Sequence, residues 1–219
     1  TQINRANVGT LREVWRYHSN DGHGNIQCNP IVVDGVMFGP TVGRALVALD
    51  ATTGAELWRR PLETPARIGL EDAPARRGLV YWPGDSQHEA RVVFAAGYWL
   101  YAAAPKTGKL VAEFGEGGRS PLPTGGTATG AIWKDTYIVS GLYGDIFSFD
   151  LRTGKQLWRF HTIPRAGDFG ADTWQGSVHE GVNCWGGLGL DVERATVHAA
   201  IGAARPDCIG VERLGDNLY

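Results

Sequence analysis

The 219-residue sequence predicts an all-β protein, a partial β-propeller of four-stranded antiparallel blades joined by a tryptophan-bearing repeat. Three observations carry that prediction. The chain has 31 Gly, 11 Pro, 8 Trp, 7 Tyr and 7 Phe but only one Met, a balance that suits short strands and tight turns rather than long helices. The segment Ala48-Leu49-Asp50-Ala51-Thr52-Thr53-Gly54-Ala55-Glu56-Leu57-Trp58 returns as Ser148-Phe149-Asp150-Leu151-Arg152-Thr153-Gly154-Lys155-Gln156-Leu157-Trp158. Measured at the Trp position, the spacing is 43 residues from 15 to 58, 54 from 58 to 112 and 46 from 112 to 158, the length of a propeller blade with its loops.

The elements follow in order along one domain, residues 1–219. Within residues 1–17, the stretch 11–15 ends in Trp15 and reads as the tail strand of a preceding copy. In the repeat at 25–60, strands 31–33 and 36–38 flank an Asp34-Gly35 turn, strand 45–50 follows, and a turn through Gly54 leads to strand 56–58; each is short and bounded by turn residues. The repeat at 78–115 gives strands 91–95, 99–103 and 109–114. It keeps the Thr107-Gly108 turn but has Ala104 for the Asp and Ala112 for the Trp. The repeat at 128–161 gives 131–133, 136–140, 146–150 and 156–160. An incomplete one at 183–219 gives 187–191 and 196–200 around Val192-Glu193-Arg194, without outer strands.

The parts of the repeat have separable jobs. Asp50 can accept backbone N–H bonds inside its turn, Gly54 can take a positive φ, and Trp58 presents a large flat surface to the next sheet. This is a structural fastening in the first place, because any stack of repeats needs one.

Composition also excludes functions. With 21 Lys plus Arg against 23 Asp plus Glu, a net charge of −2 and no basic run, the electrostatic footprint of a nucleic-acid partner is missing. No apolar stretch approaches the roughly 20 residues of a membrane span, and Thr1-Gln2-Ile3 does not open a secretory leader. Cys28, Cys184 and Cys208 form no CxxC pair; one bridge plus a thiol, or three thiols, fit equally well. The histidines His18, His23, His88, His161, His179 and His198 lack zinc-site spacing and read as structural, with His161 fixing a turn by a hydrogen bond.

Three further segments are distinctive: Asn25-Ile26-Gln27-Cys28-Asn29-Pro30-Ile31, Trp158-Arg159-Phe160-His161-Thr162-Ile163-Pro164 with Asp172-Thr173-Trp174, and Gly215-Asp216-Asn217-Leu218. With the repeat, they make the chain resemble the N-terminal half of the PQQ-dependent (quinoprotein) alcohol and sugar dehydrogenases over nearly its whole length. The resemblance implies about half of an eight-bladed ring, PQQ near its axis with Ca2+ or a lanthanide, and periplasmic localisation. It also implies cytochrome c or a quinone as electron acceptor, and another chain or a C-terminal half to complete the ring.

The resemblance assigns site residues as well. Arg77, before Gly78, matches the arginine that pairs with the quinone oxygens. Trp185, in Asn183-Cys184-Trp185-Gly186-Gly187, matches the floor on which the cofactor stacks. Thr129, Ser140 and Gly141 match positions that hold its carboxylates.

Three departures stand beside these matches. Leu70-Glu71-Asp72-Ala73 replaces the vicinal Cys-Cys. After Gly141 the chain runs through Leu142-Tyr143-Gly144-Asp145 where the family has a loop with a metal-binding Glu, and Ala203 stands where a metal-binding Asn is expected. Metal ligands are therefore not found, and the general-base Asp would lie beyond Tyr219, so no catalytic residue is named. Two readings follow: a dehydrogenase, or part of one, acting on an alcohol or sugar; or a degenerate propeller that serves as a binding scaffold.

Overall fold

The computed structural model describes residues 2–24, 26–43, 45–62, 77–126, 128–175, 181–205, 209–211 and 213–217. Among these residues the regular structure is β apart from two 3-10 turns. The first sheet runs β1 (Ile31–Val33), β2 (Val36–Pro40), β3 (Ala45–Asp50) and β4 (Glu56–Pro61). The second comprises β5 (Val80–Trp82), β6 (Arg91–Ala96), β7 (Trp99–Ala103) and β8 (Arg119–Pro121). The third comprises β9 (Ala131–Trp133), β10 (Thr136–Ser140), β11 (Ile146–Asp150) and β12 (Gln156–Phe160). The fourth is a pair, β13 (Leu188–Asp191) and β14 (Thr196–Ala199). In every sheet, sequence neighbours pair in order, and every pairing is antiparallel.

The first strands of successive sheets meet, β1 with β5, β5 with β9 and β9 with β13. A parallel bridge between Asn29 and Gly78 ties the first two sheets at the same end. The sheets therefore fan from a common axis with their first strands innermost, as the propeller expectation requires.

The core lies between blades. Every residue of β6 is buried, on both faces. One apolar cluster joins Phe38, Leu46 and Ala48 of the first sheet to Val92, Phe94 and Tyr101 of the second. The other joins Val93, Leu100 and Phe114 to Tyr137, Phe147 and Phe149 of the third. A sheet buried on both faces needs neighbours on both sides, and so the strands read as nearly continuous apolar runs.

Wedges close these interfaces. Trp58 lies against Gly108 of the next sheet, where a Cβ would come within 2.6 Å of the indole, and its Nε1 donates to Pro105 O at 2.9 Å. Trp15 repeats the geometry on Gly54, with Nε1 donating to Ala51 O at 3.1 Å. Each receiving turn is prepared locally. Asp50 Oδ1 accepts from the N–H groups of Thr52 and Thr53 and from Thr53 Oγ1, and these bonds, from Thr53 above all, hold its carboxyl below the usual range. Asp150 is bonded in the same way.

Three sequence expectations need correction. Residues 11–15 form no strand, although Trp15 docks. Residues 109–114 are a turn with one bridge, Ala103 to Leu110, and the outer strand is β8, beyond glycines 115, 117 and 118 with φ of +59°, +60° and +90°. Residues 80–82, given no strand by the sequence, are the innermost strand β5. The cause at the second blade is the lost Trp. With Ala112 in its place, the chain folds back so that Phe114 is fully buried and, with Ser120 Oγ, fills the space against Gly154. Ser120 Oγ then donates to Gly154 O at 2.7 Å, and buried Arg91 donates to Leu151 O and Arg152 O, both at 2.9 Å.

Gly108→Ala should destabilise by about 2 kcal/mol or more, because a left-handed backbone and the Trp58 ring both oppose a methyl there. Gly35, with φ +78° but nothing within 4 Å of a Cβ, should lose only about 1 kcal/mol on the same change. Denaturant midpoints of the two variants test the wedge; equal losses would remove it as the cause.

Candidate functional site

The inner ends of the second, third and fourth sheets converge on one cluster. Gly78, at φ +148°, lies so near Thr129 that a Cβ would sit 2.0 Å from its Oγ1. That closeness lets Thr129 Oγ1 donate to Arg77 O at 2.6 Å. The Arg77 side chain then reaches across to the fourth sheet. Its guanidinium carbon is 4.7 Å from the centre of the Trp185 ring, and Nη1 donates to Trp185 O at 3.4 Å. Arg77, Thr129 and Trp185, far apart in sequence, are thus neighbours.

Trp185 is 56% exposed, an unusual state for an indole held so firmly by its backbone. Cys184, fully buried, donates its N–H to Ser140 Oγ at 2.9 Å and its Sγ–H to Gly187 O at 2.8 Å. Burial pushes its thiol up, away from reactivity. Asn183 Nδ2 donates to Leu142 O at 2.5 Å, and Gly202 N donates to Asn183 O at 2.9 Å. Gly202 borders the indole edge, 3.3 Å from Nε1 to the point where a Cβ would stand. The result is a half-exposed indole, anchored through its backbone, with the Arg77 guanidinium over its ring. That arrangement suits a planar, electron-poor, anionic ligand.

Ser140 and Gly141 lie one layer back. Ser140 Oγ, 1% exposed as a residue, accepts from Cys184 and donates to Gly141 O at 3.2 Å. Gly141 pairs with Gly126, and its N–H donates to Asp145 O at 2.9 Å. In this structure both support the backbone that carries Trp185.

The positions named for a metal carry other partners. Asp145 Oδ2 accepts from Arg159 Nε at 2.6 Å and also pairs with Arg159 Nη2. Its Oδ1 accepts from Thr162 N at 3.2 Å, while Thr162 Oγ1 accepts from Asp145 N at 2.7 Å. Ala203 has only its backbone carbonyl to offer, and that accepts from Val182 N. Among the described residues no group of three or more His, Cys, Asp or Glu is placed to hold an ion. The residues present do not fit a calcium or lanthanide ion, which takes several oxygen ligands at once.

Elsewhere, His161 Nδ1 faces Asp168 Oδ2 at 3.4 Å across its turn. Gln175 bridges Leu214, and Asn217 N donates to Thr173 O, so the segments around 172–174 and 214–217 pack together. Cys28 and Cys184 are free thiols, and burial pushes Cys28 up to about 11. Cys208, His179, residues 70–73 and Leu218 lie outside the described residues. Among those described, no helix is long and apolar enough to cross a membrane. One residue that sequence reasoning passed over is Arg205, whose guanidinium carbon is 5.7 Å from the Tyr143 ring centre; a basic residue two places after Ala203 was the available signal.

Residues 1–219 match the family described as PQQ: glucose/ethanol/alcohol dehydrogenase, beta-propeller domain. The dehydrogenase subunit of a quinone alcohol dehydrogenase from Gluconacetobacter polyoxogenes is 35% identical over 181 residues, covering 74% of this chain and 23% of that protein. A quinohemoprotein alcohol dehydrogenase from Comamonas testosteroni is 28% identical over 251 residues, covering 100% and 33%. That alignment is longer than the chain itself, so the relative has segments with no counterpart here. A solved structure of the quinohemoprotein alcohol dehydrogenase from Comamonas testosteroni superposes with a TM-score of 0.76 at 25% identity, covering 100% of this chain and 35% of that one. The chain spans about a quarter to a third of these relatives.

Asp145→Ala should cost about 2 kcal/mol, because it strands the Arg159 guanidinium and removes the bond that Oδ1 accepts from Thr162 N; the figure is set below that of a fully buried pair since Arg159 is about one-third exposed. Urea unfolding checks it, and an unchanged midpoint would mean that the pair is not a structural clamp.

Proposed function

The chain belongs to the β-propeller family of PQQ-dependent glucose, ethanol and alcohol dehydrogenases, and on that premise we propose that it is the part of such a dehydrogenase that carries the cofactor's floor. The observation that supports this most is the exposed Trp185 indole with Arg77 over its ring and Thr129 fixing the Arg77 backbone. The protein containing this chain then oxidises an alcohol or sugar and passes electrons to cytochrome c or a quinone, in the periplasm. PQQ, when bound, supplies the quinone that accepts a hydride equivalent from the substrate carbon.

What the chain's own residues do can be stated one by one. Trp185 offers the stacking surface. Ser140, through Cys184, keeps that surface from tilting. Arg77 supplies a charge that favours the reduced, more anionic ring. Thr129 holds the Arg77 backbone where the side chain can reach the axis. The proton acceptor for the substrate hydroxyl is not among these residues, so turnover belongs to the protein that completes the ring. Trp158, 43% exposed on an outer strand whose residues are all exposed, is the wedge that a further blade would receive.

A second reading keeps the propeller and drops the chemistry. The capture of Asp145 by Arg159 and the methyl of Ala203 favour it, since both remove oxygen donors. Titration of the protein with PQQ, followed by quenching of tryptophan fluorescence, separates the two. Micromolar or tighter binding is expected, with Trp185→Ala and Arg77→Gln each weakening it by about tenfold or more. Binding that ignores both substitutions would leave the scaffold reading standing.

A further inference from the structure

The loops that follow β10 and β14 meet beside the Trp185 segment. A bridge joins Gly181 to Ala204, and Asn183 bonds to Leu142 in one loop and Gly202 in the other. Their backbone oxygens already accept protein hydrogens: Gly141 O from Ser140, Leu142 O from Asn183, Gly144 O from Thr124 Oγ1, Ala203 O from Val182 and Ala204 O from Arg213. The carboxylate of this corner, Asp145, is neutralised by Arg159. A hard cation would have to displace these donors one after another.

Positive charge is instead built into the chain. Arg205 packs its stem on Gly181, where a Cβ would come within 2.5 Å of its Cγ, and its guanidinium faces the Tyr143 ring. Among the described residues no carboxylate pairs with Arg205. Arg213 reaches the same loop, and Arg77 stands over the neighbouring Trp185. With Asp145 paired to Arg159, the Arg77 and Arg205 guanidinium groups set beside these loops oppose a metal ion and attract a carboxylate.

We propose that this site takes its planar, polycarboxylate quinone without a metal ion, Arg205 supplying the positive charge that an ion would bring. The inference rests on the reading of the site as a quinone site, and deepens it. A guanidinium is permanently charged and can grip a carboxylate through two parallel N–H bonds, so the substitution serves binding as well as charge.

The test is a PQQ titration of the intact protein in three buffers: with EDTA, with Ca2+ and with La3+. The dissociation constant should agree within about twofold across the three, and Arg205→Gln should raise it about tenfold in EDTA, with Arg205→Lys between. Binding that requires an added ion overturns this inference and leaves the quinone site intact. So does ion-independent binding that Arg205→Gln leaves unchanged. Failure to bind PQQ in any buffer overturns both readings together.

Discussion

Everything in this molecule depends on an aromatic side chain being pressed onto a glycine in the adjacent sheet. No single four-stranded sheet here can cover both of its apolar faces, so stability resides in the junctions between sheets. The Trp58 and Trp15 contacts show the full device: a carboxylate- or backbone-closed turn, a glycine in left-handed geometry, and an indole whose N–H is satisfied by a turn carbonyl. Because the wedge sets the angle between blades, it also sets how closely their inner strands approach, and that approach brings Arg77 to Trp185.

Most strands were readable because each lies between turn residues and carries apolar runs long enough to show. The failures are physical. Residues 109–114 look like a strand by composition, yet removal of the indole at Ala112 leaves a gap that only Phe114 can fill, and reaching it needs a turn. Residues 80–82 are just three residues long and carry no alternation to see. Trp15 kept its contact without its strand, because the contact needs one ring and one N–H, not a ladder.

The candidate site was legible in part. Arg77, Thr129 and Trp185 were named through family resemblance, and their convergence depends on the fan of sheets, which no local pattern encodes. Ser140 and Gly141 illustrate the opposite case: a hydroxyl in a strand says nothing about whether it faces a ligand or, as here, a buried amide. Arg205 was passed over because its place beside the Tyr143 ring comes from two loops meeting, which its own segment does not encode.

The contact between Arg77 and Trp185 joins residues 108 apart in the chain, whereas most hairpins close over a few residues. Loop-closure entropy makes short hairpins early events and so distant a meeting a late one. During synthesis, hairpins can form as they emerge, while the contact between Arg77 and Trp185 exists only after the fourth repeat has begun to settle. A small molecule that recognises this pair therefore acts as a latch on the finished arc, favouring completely assembled chains over stalled ones.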